Sequence, residues 1–223
     1  MGCEMKNRTL FFLAAAWVLI AYPLSVAWSV NTVSSEELDR LKKGAVLVRT
    51  TDRNSEGILY GTGTQLIDCD FDRLWRFLTN YSIHDKYFQP VGTRKAYEIT
   101  AKGDDHYTVR KLEVPFMKPQ LTLLFHHDKT HRHITGRLLK ENELTPELIR
   151  AGAVYPKRLE DVREFWQIDT SPFPGDRRLL VTYGLYLDHS LWIPGFIQRR
   201  IIKKSVRKVV EIAHDAMASQ ATF

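Results

Sequence analysis

The segment from Leu191 to Ala218 sets the strongest constraint on what this chain can fold into. At about 100° per residue, Ile202, Val206, Val209, Ala213 and Ala216 fall on one half of a helix. Arg199, Arg200, Lys203, Lys204, Arg207 and Lys208 fall on the other half. A long helix with such a stripe needs an apolar surface of matching length to cover it. The text just before supplies one. In residues 177–188, Leu179, Val181, Tyr183, Leu185 and Leu187 share a face, as in a strand buried on one side. Val162, Trp166 and Ile168 repeat the pattern in 160–170. The expectation is an α+β chain in which the last helix lies across an antiparallel sheet.

Further strands are expected near 92–101, 105–116, 119–127 and 131–140, separated by turns rich in Gly, Pro, Asp and Lys. Upstream, Ser34 or Ser35 caps a short helix that ends at Gly44, and Ala45 to Thr51 is extended. The strand from Ile58 to Ile67 carries alternating glycines, which suits a strand lying against something bulky. Asp70 caps a helix over Phe71–Thr79 with Phe71, Leu74, Trp75 and Leu78 on one face. A second short helical piece, Ser82 to Phe88, stops at Gln89-Pro90. Residues 141–158 are an insertion with a short helix at Thr145–Gly152. Its Leu144, Leu148, Ile149, Val154 and Tyr155 either cover a cavity mouth or pack on the outside.

At the N-terminus, Lys6 and Arg8 precede an apolar run from Leu10 to Ala21, and Ser25-Val26-Ala27 offers small residues for a signal peptidase. That order predicts a secretory signal peptide over 1–27, with the mature chain beginning at Trp28. The span is also long enough to remain as an anchor. Either way the rest of the chain is expected outside the cytoplasm, periplasmic or held at the outer face of the cytoplasmic membrane. The expected division is 1–27 signal peptide, 28–56 N-terminal extension and 57–223 main domain. A net charge of +6 admits an acidic partner such as a lipid headgroup but is too small to indicate nucleic acid. Two cysteines make no disulfide scaffold, and no nucleotide-binding, zinc-protease or nucleophile-elbow motif is present. Cys69 reads as a small buried hydrophobe.

The order of elements resembles the helix-grip fold of the START-like superfamily, which includes lipid-transfer domains, polyketide cyclases/dehydrases and coenzyme Q-binding proteins. Three stretches carry the resemblance: Asp70 to Tyr81, Gln89-Pro90-Val91, and Leu180 to Lys208 with Thr182-Tyr183 and Trp192-Ile193-Pro194-Gly195-Phe196. It implies a curved antiparallel sheet of about seven strands wrapped on the C-terminal helix. It also implies an internal cavity for a hydrophobic ligand such as a lipid or isoprenoid.

On that reading the buried faces nominate Trp166, Ile168, Val181, Tyr183, Leu185, Leu123 and Phe125 as cavity lining, although each would serve equally as core. Arg199, Arg200, Lys203, Lys204, Arg207 and Lys208 either face an anionic membrane or form an ordinary solvated helix side. The rival reading is a cyclase or dehydrase using Arg110, Tyr107, His106 or Glu164, and a third is a non-catalytic interaction protein of the envelope. His126, His127, His131 and His133 cluster at a hairpin tip but are not expected to hold a metal, and no cofactor is expected.

Overall fold

The computed structural model describes residues 34–53, 58–113, 118–156, 159–189 and 193–219. The expected signal segment lies outside the described residues. Eight strands form one antiparallel sheet in the order β1-β2-β8-β7-β6-β5-β4-β3. They are β1 (Leu47–Arg53), β2 (Ile58–Ile67), β3 (Thr93–Lys102), β4 (Asp105–Leu112), β5 (Gln120–Asp128), β6 (His133–Leu138), β7 (Leu159–Thr170) and β8 (Leu179–His189). The helices are α1 (Ser35–Lys42), α2 (Phe71–Thr79), α3 (His84–Tyr87), α4 (Pro146–Arg150) and α5 (Gly195–Ala218). The strand count exceeds the expected seven because β1, from the N-terminal extension, pairs with β2 along its whole length. β3 to β8 form a meander, and β8 returns to pair with β2. β1 and β3 are therefore the edges.

Local chemistry accounts for the helix boundaries. Ser34 and Glu37 form a reciprocal capping box at α1, and Glu37 also holds Arg49 of β1 at 2.6 Å. The Asp70 side chain accepts from the Arg73 amide at the start of α2. α5 begins at Gly195, and Pro194 stands just outside as its N-cap with ψ 134°, not within the first turn as expected. That extended ψ cannot belong to a helical residue, so the helix starts at Gly195 rather than at Leu191.

The sheet has one face on α5 and one on α1 and α4. Gly61, Gly63 and Ile67 of β2 face α5 together with Val181 and Tyr183 of β8, while Thr64 and Thr182 bond hydroxyl to hydroxyl on the opposite face. Leu41 of α1 closes that opposite face over Leu47 and Leu66. On the inner face Ile202, Val206, Val209, Val210, Ala213, Ala216 and Met217 of α5 join Leu74, Trp75 and Leu78 of α2 in the main core. Cys69 packs against this core, and burial pushes its thiol up to about 11.

The glycines of β2 set how close α5 comes. A Cβ at Gly63 would stand 2.7 Å from the Val206 carbonyl oxygen, and one at Gly61 would collide with Ile202. Gly63→Ala should therefore push helix and strand apart and lower the unfolding free energy by about 1–3 kcal/mol. Gly195→Ala, with open space around the added carbon, should be near neutral. Denaturant midpoints of the two variants check the contrast.

Candidate functional site

A cavity of about 150 Å³, partly open to solvent, lies between α5 and one end of the inner sheet face. Its walls follow the strand rows. β8 contributes Leu187, Leu185 and Tyr183, and β7 contributes Leu159, Val162, Glu164 and Trp166. β5 adds Leu121 and Leu123, and β4 adds Leu112 and Arg110. Ile201, Ile202, Ser205 and Val209 of α5 form the roof, and His84 and Phe88 close the side.

Four of the seven nominated lining residues, Trp166, Tyr183, Leu185 and Leu123, border this space. Ile168, Val181 and Phe125 do not, which corrects the expectation for these three. Each sits one step further along the same inner-face row, fully buried in the core that α2 and the C-terminal half of α5 fill. Alternation identifies the face of a strand but not how far along it the cavity extends. His84, Phe88 and Val91 were missed, because four-residue α3 and the turn after it carry no periodicity that assigns a face.

The inner end of the cavity is polar. Arg110 Nη1 donates to Glu164 Oε1 at 2.8 Å, and the Tyr183 hydroxyl donates to Glu164 Oε2 at 2.8 Å. The Arg110 guanidinium lies 4.8 Å from the centre of the Phe125 ring. That ring can lie flat on β6 because its cross-strand neighbour is Gly136, where a Cβ would stand 2.5 Å from the ring. Tyr183 rests 4.7 Å from Trp166, and burial, then the charge of Glu164, holds its hydroxyl well above the ordinary tyrosine range. His84 is also buried. Desolvation, with the nearby Arg110 charge second, pushes its imidazole down to about 3, against backbone hydrogen bonds to Phe77 and Leu78. The ring is therefore neutral at ordinary pH.

Other nominated residues lie elsewhere. Tyr107 alternates to the outer face, where it packs with Leu139, Leu148 and Ala153. Leu144, Leu148 and Ala153 of the 141–158 insertion belong to the same outer cluster, Tyr155 packs against the main core, and the segment is pinned by Thr122, whose hydroxyl donates to the Val154 carbonyl and accepts from the Val154 amide. Among the described residues, none of the cavity lining comes from it. His106 stacks 3.9 Å from His127 and reaches Glu98, and His127 meets the Tyr81 hydroxyl at 2.6 Å. His126 and His131 take separate carboxylates, Asp105 and Asp128. Among the described residues no group of three or more His, Cys, Asp or Glu is placed to hold a metal ion. Arg199, Arg200, Lys203, Lys204 and Arg207 are exposed, and Lys208 is half-buried beside Glu211. Phe196, one turn before Arg199 and Arg200, is 75% exposed.

No family model matches the sequence, and no curated protein matches it. Solved structures do match in shape. A STAR-related lipid transfer protein from Xanthomonas axonopodis superposes with TM-score 0.59 at 13% identity, over 79% of this chain and 99% of that one. Human STARD10 superposes with TM-score 0.56 at 11% identity, over 84% and 80%. The Zhui aromatase/cyclase from Streptomyces sp. R1128 gives 0.52 at 13%, over 77% and 94%. The fold is START-like. Within that START-like frame the neighbours bear names of more than one activity, so the fold alone does not choose among them.

Two measurements probe this site. Arg110→Met should cost about 3–5 kcal/mol, because it leaves the Glu164 carboxylate buried without its cation. Adding Glu164→Leu should recover most of that loss in equilibrium unfolding. The second is pH. An unfolded histidine takes its proton near pH 6.5, whereas folded His84 and His127 take theirs only near pH 3. Between those values the unfolded chain binds more protons, so stability falls as pH falls. From pH 7 to 5 each histidine should cost about 2 kcal/mol. Urea midpoints across this range should show the slope, and His84→Phe should flatten it by about half.

Proposed function

We propose that this protein binds a hydrophobic molecule, a lipid or isoprenoid, in the cavity under α5, outside the cytoplasm and next to a membrane. One observation carries the binding reading. The cavity is apolar except at its inner end, and there the one carboxylate is committed through both oxygens, to Arg110 and to Tyr183. A site so arranged holds a ligand but leaves no carboxylate poised to take a proton, which favours binding over a cyclase or dehydrase reaction. The lipid-transfer name of the Xanthomonas axonopodis neighbour supports the same reading. The volume is below the roughly 300–1,000 Å³ of sites that enclose a drug-sized ligand. A full lipid therefore enters by displacing α5 from the β7–β8 end of the cavity or leaves part of itself outside. Native mass spectrometry of protein purified from its own host should find a hydrophobe bound; ligand-free protein in every preparation would count against the reading.

The membrane side of the proposal rests on the outward row of Arg199, Arg200, Lys203, Lys204, Arg207 and Lys208 together with exposed Phe196. Each base near an anionic surface contributes about 1 kcal/mol, and an exposed aromatic ring suits the headgroup boundary. The roof residues Ile201, Ile202 and Ser205 lie on this same helix, so docking would bring the cavity next to its lipid source. Changing Lys203, Lys204, Arg207 and Lys208 to Gln should leave the melting temperature nearly unchanged. Sedimentation with anionic vesicles should fall steeply, and wild-type binding should weaken with salt. Equal sedimentation of both proteins would reduce the basic side to a solvated surface. Export is proposed from the Lys6/Arg8 flank, the apolar run and Ser25-Val26-Ala27. N-terminal sequencing of the native protein should begin at Trp28, and a soluble cytoplasmic chain beginning at Met1 or Met5 would overturn it.

A further inference from the structure

Two histidines sit where the side wall of the cavity meets the sheet. Four others hold carboxylates: His106 with Glu98, His126 with Asp105, His131 with Asp128 and His214 with Asp215. His84 and His127 are buried, 5% and 7% exposed, and among the described residues neither is bonded to a carboxylate. Both lie against Tyr81. Its hydroxyl meets His127 Nε2 at 2.6 Å, and its ring stands 5.0 Å from the His84 ring and 5.1 Å from Phe125. Tyr81 and His84 belong to the stretch 81–92, made of two 3-10 turns and the four-residue α3, which leads from α2 to β3. His84, Phe88 and Val91 of this stretch form the side wall of the cavity.

Side chains fasten this wall more than backbone does. The Ile83 amide donates to the Asn80 carbonyl and the Phe88 amide to the His84 carbonyl, so these bonds stay local. Among the described residues, the stretch bonds to sheet backbone only at its far end. There the Thr93 amide donates to the Phe88 carbonyl and the Glu113 amide to the Gly92 carbonyl. The near end is held by the buried rings of Tyr81, His84 and Phe88. Asn80, which ends α2, and left-handed Gly92, at φ 95°, bound the stretch. A segment with so few backbone ties can open without unfolding the sheet.

The surroundings of the two rings are built for neutral imidazoles. His84 faces Arg110 of β4 and His127 of β5, while Glu164 of β7 is taken by Arg110 and Tyr183. His127 lies under Tyr81 and the edge of Trp75, stacked 3.9 Å from His106 of β4, with His126 beside it on β5. Glu98 of β3 is taken by His106 and Asp105 of β4 by His126. Asp85 and Lys86 of α3 are exposed. Burial, then Arg110, pushes His84 down to about 3, and burial, then His106 and His126, does the same to His127. With the stretch opened, both rings meet water and take a proton near pH 6.5. The open form therefore binds protons that the closed form does not, and the closed form loses stability as pH falls from 6.5 toward 3.

We propose that 81–92 is an acid-operated wall: protonation of His84 and His127 frees it from the sheet, opens the side of the cavity and releases the ligand, while α5 stays in place. The release step rests on the cavity being a ligand site, and the opening does not. From pH 7 to pH 5 the open population rises about 25-fold for each histidine, or about 600-fold for the two together.

Two measurements on the purified protein test this. N-phenyl-1-naphthylamine is an apolar fluorophore that stays uncharged across this range, so its release rate in stopped flow reports the wall. The rate should rise about 600-fold from pH 7 to pH 5. His127→Gln keeps a polar partner for Tyr81 and takes no proton, and should cut that rise to about 25-fold. Backbone hydrogen exchange, corrected for the chemical rate at each pH, should quicken by the same 600-fold over 83–92 and show no response to low urea. The α5 amides should exchange only through urea-promoted unfolding. The wild-type results decide even if the variant does not fold. A release rate that changes less than about threefold, or exchange over 83–92 that follows urea as α5 does, overturns the wall and leaves the cavity reading standing. Urea-independent exchange in α5 at pH 5 overturns it too, because the helix has then opened instead. A fluorophore that binds at neither pH overturns the cavity reading and the release step, and the exchange pattern then decides the opening by itself.

Discussion

The contact of α5 with β2 at Gly61 and Gly63 determines how the rest of the inner face is used. Two missing side chains let helix backbone meet strand backbone, so α5 is pressed down at the β2 side of the sheet. The sheet curves, and its far strands cannot stay equally close to a straight helix. α2 fills the widening gap toward one end, where Leu74, Trp75 and Leu78 share one core with Phe125, Ile168 and Val181. At the other end, among the described residues, α3 and the turn after it approach, and a cavity remains. The cavity is what a tight seam on one side and two short helices on the other leave unfilled.

An ion pair at the inner end of such a space is a poor stabiliser. Arg110 and Glu164 are largely removed from water, and the attraction between them at best offsets what their dehydration costs. Apolar residues of similar volume would fill the same place without that cost. The arrangement makes physical sense when the pair orients something else. Glu164 fixes Arg110 through one guanidinium nitrogen and Tyr183 through its hydroxyl, while the Phe125 ring supports the guanidinium from below. The result is a charge-neutral but strongly polar patch held rigidly against the Trp166 ring.

Most of the architecture was legible because it depends on periodicity. The two-sidedness of α5, the alternation of Leu179 to Leu187 and the glycines between Ile58 and Ile67 each state a geometric requirement that only a sheet with a helix across it meets. The site was legible only in part. Trp166, Tyr183, Leu185 and Leu123 were found because facing inward is a property of alternation. Ile168, Val181 and Phe125 were placed with them because the depth of a cavity depends on which helix covers which stretch of strand, a tertiary fact. His84 could not be found at all: its burial follows from the fold around α3, and nothing in His84-Asp85-Lys86-Tyr87 distinguishes an inward ring from a solvated one. The insertion carried enough apolar residues for a lid, but Thr122 anchors Val154 to the outer face.

The edge strand β3 deserves a different reading from the rest of the sheet. Its pairing with β4 slips twice, between Thr93 and Lys95 and between Glu98 and Thr100, and it exposes Arg94, Lys95, Glu98 and Lys102. Irregular, charged edges resist the addition of another strand. An open sheet with a cavity in its interior is otherwise a candidate for edge-to-edge polymerisation at high protein concentration. The kinks and charges of β3 keep one side of the sheet from templating that growth, so the molecule can tolerate an unfilled interior without becoming the seed of a fibre.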